Sequence, residues 1–529
     1  LRAKTLIYNA RIYPQISGLV VNSLAISGNR IVAIGDELQH NPEFKSYSRI
    51  NLKGKTVVPG FVDAHTHFYY FALSYGRVSL DGLDSLDQCL ARIKTFATSL
   101  GSDEWLLGEG YSPDRFKKRI DPDRLLLDRV SSGRPAFLFS KDQHSAWVNS
   151  RALALAGIDQ NTKDPKGGRI EHFGDGTPSG ILREGPAFKL IHDRIPEPSK
   201  KRVARYYQKA LEHAYRKGVT GVHSVDSSPA AFEWFSKMNE NKRLGLRINY
   251  YFQAAQLPML AKNNIRYGDG EDFLRVAGIK IFSDGSLGSQ TAHCFSKYLG
   301  SKNNYGIEVK TKTQMLEEVT QAARLGLPAA IHAIGDKAVS NVLDVFEKAP
   351  RLNNGARHRI EHLQLCRRTD IARLKKLNVV ASMQPSHCPS DTKMVRKYWG
   401  KRGANAYIFR TLIDKGVDLA FGSDVPIEPL DPIAGIAAAV RRARPGSRDV
   451  LYSEQRVSVE EALYRFTVGP AIAVGQEHCR GRLLPGYPAD FVVLSDDITK
   501  VPANSIYDVT VLANVLDGEV MYSHSSLKL

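Results

Sequence analysis

Val57-Val58-Pro59-Gly60-Phe61-Val62-Asp63-Ala64-His65-Thr66-His67 is an apolar run that closes on two histidines separated by one residue. On a strand, positions i and i+2 share a face, so both imidazoles point the same way. Two neutral imidazoles side by side can grip one cation at ~2.0–2.1 Å. A pair of surface or hydrogen-bonded histidines is the other reading, and the rest of the chain decides between them.

The pattern recurs downstream. Short apolar runs, each closing on polar residues, alternate with helix-like segments, the signature of βα units and a parallel sheet. The runs end at His65/His67, Val222-His223, Tyr251-Phe252, Ile279-Lys280-Ile281, Ile331-His332, Ile360-Glu361-His362, Ser382-Met383-Gln384 and Phe421-Gly422-Ser423-Asp424. Eight is the number a (β/α)8 barrel requires, and such barrels carry their chemistry at the C-terminal ends of the strands. The expected fold class is therefore α/β, a TIM barrel over residues 58–476. About 150 residues separate the first run from the second, far more than one βα unit uses. Residues 70–205 read as an insertion with α/β structure of its own, including a helix over Asp84 to Leu100 and a strand at Ala136-Phe137-Leu138-Phe139. Both ends of the chain have β texture, with strands expected over Thr5 to Tyr13, Ser23 to Ile26, Arg30 to Ile34, Ala489 to Leu494, Val509 to Leu516 and Glu519 to Tyr522. Residues 1–57 and 477–529 are expected to form one small β-sandwich domain from both termini.

Composition narrows the function class. The 529 residues are 43% hydrophobic and 24% charged, which excludes a mainly disordered or collagen-like chain. No run approaches 18 apolar residues, so no membrane-spanning helix is expected. The five cysteines (Cys89, Cys294, Cys366, Cys388, Cys479) are scattered, with no Cys-x-x-Cys. That argues against a disulfide framework or a thiolate zinc site and fits a reducing, cytoplasmic compartment. The sequence opens at Leu1 rather than Met, which leaves a removed leader open. The net charge of +18 raises nucleic-acid binding. The basic residues are spread along the chain, however, and the densest groups (Lys117-Lys118-Arg119 and Lys200-Lys201-Arg202) are short. Neither a nucleic acid nor a membrane is expected as a partner. A small-molecule substrate is, and a homodimer stays open.

Four further residues stand where apolar strands close. His332 and His362 each end a strand, where a lone histidine is ordinarily a hydrogen-bonding residue; two of them, with the pair at strand one, shift the reading to metal. Asp424 closes the eighth strand. Such a carboxylate caps a turn, or beside a metal both coordinates and takes a proton. Lys280 interrupts the apolar Val276-Ala277-Gly278-Ile279-Lys280-Ile281-Phe282, where a free ammonium is costly to bury. Burial lowers a lysine pKa, and the neutral amine can take up carbon dioxide as a carbamate able to bridge two divalent ions. Pairing to a buried acid such as Asp284 is the alternative.

Taken together, the His-x-His stretch, Lys280, His332, His362, Asp424 and the tail Gly481-Arg482-Leu483-Leu484-Pro485-Gly486-Tyr487-Pro488-Ala489-Asp490-Phe491-Val492-Val493-Leu494 resemble the amidohydrolase superfamily. Three segments are similar to its branch of N-substituted formamide deformylase-like enzymes: Lys280-Ile281-Phe282-Ser283-Asp284-Gly285-Ser286-Leu287-Gly288-Ser289, His144-Ser145-Ala146-Trp147-Val148-Asn149 and Ile331-His332-Ala333-Ile334-Gly335-Asp336. The resemblance implies one metal on His65, His67 and Asp424, a second on His332 and His362, and Lys280 bridging as the carbamate. The metal is then a divalent ion, zinc by expectation, one or two per subunit, and Asp424, Lys280 and His362 carry the catalytic roles. The implied reaction is hydrolysis of a non-peptide C–N bond, in an amide or N-substituted formamide, by metal-activated hydroxide. A mononuclear deaminase or cyclic amidase is the rival among enzymes, and a catalytically silent barrel scaffold the rival outside them. Substrate contacts are expected from His144 in the insertion, from Asp284, Ser286 and Ser289 in the loop after strand four, and from His223 at strand two.

Overall fold

The stretch that opens the barrel belongs to two sheets. Thr56–Pro59 and Phe61–Thr66 are separate strands, and a Cβ on the intervening Gly60 would come within 2.5 Å of the Thr220 side chain. Only glycine lets the chain pass there. This computed structural model describes residues 4–15, 18–101, 104–113, 116, 122–140, 145–226 and 228–527.

Phe61–Thr66 is the first of eight barrel strands: β1 (Phe61–Thr66), β2 (Val219–Ser224), β3 (Arg247–Gln253), β4 (Leu274–Phe282), β5 (Ala329–Ala333), β6 (Arg359–His362), β7 (Val380–Met383) and β8 (Leu419–Phe421). Neighbours in chain order are hydrogen-bonded and parallel. The two ends of the sheet meet through a parallel bridge between Thr66 and Val425. There the Asp424 N–H donates to the His65 carbonyl at 2.8 Å and the His67 N–H to the Val425 carbonyl at 2.9 Å. Helices such as Lys312–Arg324, Asp336–Lys348 and Val459–Ala473 lie between or after the strands. The fold is a TIM barrel, and each expected run overlaps one of its strands, with His67, Gln384 and Asp424 just past the ends of β1, β7 and β8. Parallel strands covered on both faces read as nearly continuous apolar runs, which is why a single polar residue at a strand end stands out in the sequence.

A sandwich completes the barrel unit. One sheet orders Arg30–Gly35, Ser23–Ser27, Thr5–Tyr8 and Ser48–Asn51; the other orders Arg11–Ile12, Thr56–Pro59, Phe491–Leu494, Val511–Leu516 and Glu519–Ser523. Ile7, Leu24 and Ile26 of the first pack in one core with Val57, Phe491, Val493 and Val515 of the second. The single strand expected over Thr5 to Tyr13 is two. Asn9, at φ 51°, turns the chain from one sheet to the other. Ser48–Asn51 is largely exposed, so it shows no apolar alternation and went unmarked in the sequence.

Phe71–Ala210 forms a compact unit of its own. Its six-stranded sheet orders Arg169–His172, Pro178–Arg183, Ser145–Val148, Ala136–Ser140, Leu106–Tyr111 and Arg77–Ser79. The helix expected over Asp84 to Leu100 runs Leu86–Ala97, with the Ser85 hydroxyl accepting from the Gln88 N–H at its start. Trp105, Tyr111 and Phe116 are buried in the unit's two apolar cores. His144 and the run Lys117-Lys118-Arg119 lie outside the described residues. Among the described residues no helix is long and apolar enough to cross a membrane.

Candidate metal centre

Asp63, His65 and His67 alternate on one face of β1 and its extension. His65 is fully buried. Its Nδ1 donates to Glu361 Oε2 at 2.5 Å, so the lone pair sits on Nε2, a buried atom with no hydrogen-bond partner. That nitrogen lies 3.3 Å from Asp424 Oδ1, and His67 Nε2 lies 3.5 Å from the same oxygen. Ligands at ~2.1 Å around one tetrahedral ion stand ~3.4 Å apart. The three atoms, all within 4.8 Å of one another, therefore fit one divalent cation.

The other two histidines close the group. The His362 ring centroid is 4.8 Å from that of His65 and 4.5 Å from that of His332. His362 Nδ1 donates to Gln384 Oε1 at 2.8 Å, and His332 Nε2 donates to the Gly285 carbonyl at 3.0 Å. Each ring thus keeps its second nitrogen as a lone-pair donor, the outer hydrogen bond fixing the tautomer. Burial, with the Lys280 ammonium next in size, lowers His332 to about 3; burial and the neighbouring His332 hold His362 well below the usual imidazole range. Both rings are neutral near pH 7, as metal ligation requires. Burial alone would push the Asp424 carboxyl up; the facing His65, His387 and His67 rings hold it well below the ordinary carboxylate range.

A family model described as "Amidohydrolase family" matches residues 49–522. The chain belongs to that family. It is 31% identical to Protein LONG AFTER FAR-RED 3 of Arabidopsis thaliana, over 98% of this chain and 92% of the plant protein. It is 26% identical to the N-substituted formamide deformylase of Arthrobacter pascens, over 95% of each. The crystal structure of an uncharacterized metal-dependent hydrolase from Pyrococcus furiosus superposes with a TM-score of 0.78 at 32% identity, covering 94% of this chain and 100% of that one. This amidohydrolase is accordingly a hydrolase of a metal-dependent kind, within the branch that the deformylase represents.

Lys280 of the amidohydrolase is buried, and its Nζ has no hydrogen-bond partner. It stands 5.0 Å from the centre of the Phe282 ring. Burial lowers its pKa to about 8, opposed by the anions Glu361 and Asp424. Pairing of Lys280 with Asp284 does not occur among the ion pairs of the described residues. Asp284 is buried instead where its carboxylate accepts the N–H groups of His293, Ile334 and Gly335 at 2.8–3.3 Å, tying the loops after β4 and β5 together. Burial raises it to about 7 against those donors. Ser286 and Ser289 are exposed and bond to each other at 2.9 Å within their loop. His223 is buried below the centre, its Nδ1 accepting from Arg359 Nη1 at 2.9 Å. Burial and that cation hold it well below the usual range.

Four functional neighbours were not singled out in the sequence. Arg359, fully buried in β6, chelates Glu361 and reaches the Ala64 carbonyl at 2.5 Å, Ser382 Oγ at 3.0 Å and the Tyr251 hydroxyl at 3.2 Å. It thereby fixes the carboxylate that orients His65. Asp63 accepts the Ser423 N–H at 2.9 Å and the His65 N–H at 3.1 Å, clamping the end of β8 to β1. His387, at the start of the helix His387–Met394, donates through Nε2 to Asp424 Oδ2 at 3.2 Å. His387 also forms, with His362 and Asp424, a second group of donor atoms within 4.8 Å of one another. Same-face alternation signals Asp63 and the Arg359/Glu361 pair; nothing local signals His387.

Proposed function

We propose that this amidohydrolase cleaves a non-peptide C–N bond, in an amide or an N-substituted formamide, with a divalent metal held by His65, His67 and Asp424. His332 and His362 are the ligands of a second ion, and Lys280, as its carbamate, the bridge between the two. The observation that carries the reading is the approach of two imidazole nitrogens to a single oxygen, Asp424 Oδ1, at 3.3 and 3.5 Å. The donor set of imidazoles and carboxylate favours zinc. The unpartnered Lys280 amine supports the carbamate, because carbamylation replaces a buried cation lacking a hydrogen bond with an anion facing histidine ligands. The likeness to the formamide deformylase supports the substrate class.

A divalent ion held there supplies Lewis acidity, lowering the pKa of a water from 15.7 towards ~7. Asp424 takes the proton of the attacking water and returns it to the leaving amine. Glu361 and Gln384 hold the His65 and His362 rings in the tautomers that this task needs.

The test is a panel of N-substituted formamides, acyl-amino compounds and cyclic amides, presented to zinc-loaded protein with product analysis and metal counting. Formate and a free amine from a formamide are expected, with two ions per chain; His65→Ala and Asp424→Asn should be folded and inert. One ion per chain with ammonia released from an amino-substituted ring would replace this reading with a deaminase.

A further inference from the structure

At the face of the barrel away from the metal centre, where the strands begin, lies a cavity of about 50 Å³. Its wall includes Thr220, Arg247 and Arg275 from the starts of β2, β3 and β4, and Arg480, Arg482 and Asp490 from the chain leading into Phe491–Leu494. At ~10–15 Å³ per water it is space for about three to five waters, or for one small ion.

Two guanidinium groups reach it with work left undone. Arg247, 9% exposed, is pinned on two sides: Nε and Nη2 donate to the Asp490 carboxylate at 2.7 and 3.1 Å, and Nη2 also to Asp517 at 2.9 Å. Its Nη1 has no hydrogen-bond partner, and neither has Arg480 Nη1, although both are buried. The nearest carboxylate oxygens stand at 3.7 Å (Asp272) and 3.6 Å (Asp490), beyond hydrogen-bond reach. The Asn249 side-chain oxygen, also lining the space, is equally unpartnered. Arg275 donates to the Gly268 and Val474 carbonyls and lies over the Tyr267 ring, and Arg482 donates to the Glu477 carbonyl. Four guanidinium groups line the cavity against two carboxylates, Asp272 and Asp490; Asp517, bonded to Arg247, leaves one positive charge in excess.

We propose that this cavity binds a small tetrahedral oxyanion of the phosphate type, gripped by Arg247 Nη1 and Arg480 Nη1. Arginine N–H groups are the natural donors to such an ion, and an anion satisfies both orphaned donors and the surplus charge at once. The site is separate from the metal centre, so it stands whether or not the proposed reaction is right.

Calorimetric titration of the metal-loaded full chain with inorganic phosphate, at constant ionic strength against chloride, tests it. Wild type is expected to bind one phosphate, Asp424→Asn to bind it as well as wild type, and Arg480→Met to bind it at least tenfold more weakly. Arg480→Gln, with the same expected loss, serves if Arg480→Met does not fold by circular dichroism. The proposal is overturned by the absence of binding above the chloride control. It is overturned equally by a folded arginine variant that binds as wild type, or by binding that disappears in Asp424→Asn and survives in Arg480→Met.

Discussion

A carboxylate beside two imidazoles can rotate, and the orientation of Asp424 is set by one residue. His387 occupies Oδ2, which leaves Oδ1 for His65 and His67. His387→Phe removes the hydrogen bond, and a ~10–100-fold loss of metal affinity is expected from the loss of such an outer partner. His387→Asn, which keeps a donor, should lose less; chelator competition measures both, and equal affinity in all three proteins would show that Asp424 holds itself. Lys280 makes the opposite kind of statement, about cost. Its pKa of about 8 in the folded chain compares with ~10.4 in an unfolded one. Between those values the unfolded chain binds more protons, so stability of the metal-free protein rises with pH across that window; below it the folded chain holds a buried cation at a cost of ~3 kcal/mol. Lys280→Met is therefore expected to stabilise metal-free protein at pH 7 by ~1–3 kcal/mol, with the gain shrinking by pH 10. Urea unfolding at the two pH values measures it, and a gain independent of pH would remove the buried charge as its cause.

At the scale of the element, the centre is made by strand ends that depart from strand geometry. In β6, alternation puts Arg359 and Glu361 on one face and would turn His362 to the other. Positive φ at His362 (72°) and Leu363 (44°) swings the ring back among the other histidines, and Asp424 has φ 66°. Such local strain persists only where the surroundings hold it, and it concentrates at functional sites. β8 meets β1 through Gly422, where a Cβ would stand 2.5 Å from the His65 nitrogen and 2.6 Å from Asp63 Oδ1. Backbone cannot yield as a flexible side chain can, so Gly422→Ala should destabilise by ~1–3 kcal/mol and lower bound metal per chain. Thermal melting with elemental analysis checks both; unchanged metal content would show that β8 can shift without opening the centre. These elements explain what was legible in sequence. A histidine, lysine or aspartate that interrupts an apolar run announces a strand end, and His65, His67, Lys280, His332, His362 and Asp424 are singled out in the sequence that way. His387 sits on a helix without an apolar stripe, and only closure of the chain after β7 brings it to Asp424.

At the scale of the molecule, both ends of the chain meet beside the strand that carries His65. Thr56–Pro59 runs through Gly60 into β1 and pairs along its length with Phe491–Leu494, in the register Pro59 to Phe491 and Thr56 to Leu494. The β texture of the two ends was visible in the sequence, but not this register, which depends on a contact across more than four hundred residues. Arg247 of β3 fastens the junction through Asp490 and Asp517. Burial would raise the Asp490 carboxyl, but Arg247 holds it below its ordinary value. A carboxyl lowered in the folded state adds stability above its unfolded pKa of ~3.9, and that stability is lost as pH falls through the folded value. Asp490→Asn leaves a buried guanidinium short of one anion, a change that costs ~3 kcal/mol where a buried pair is broken outright and less here, because Asp517 remains. The expected result is a loss of ~1–3 kcal/mol that is constant between pH 7 and pH 5 and narrows only below pH ~4. Urea unfolding across that range decides it. A difference that widens between pH 7 and pH 5, or that fails to narrow below pH ~4, would mean that Asp490 titrates above or near its ordinary value, and that Arg247 is held to the sandwich by Asp517 instead.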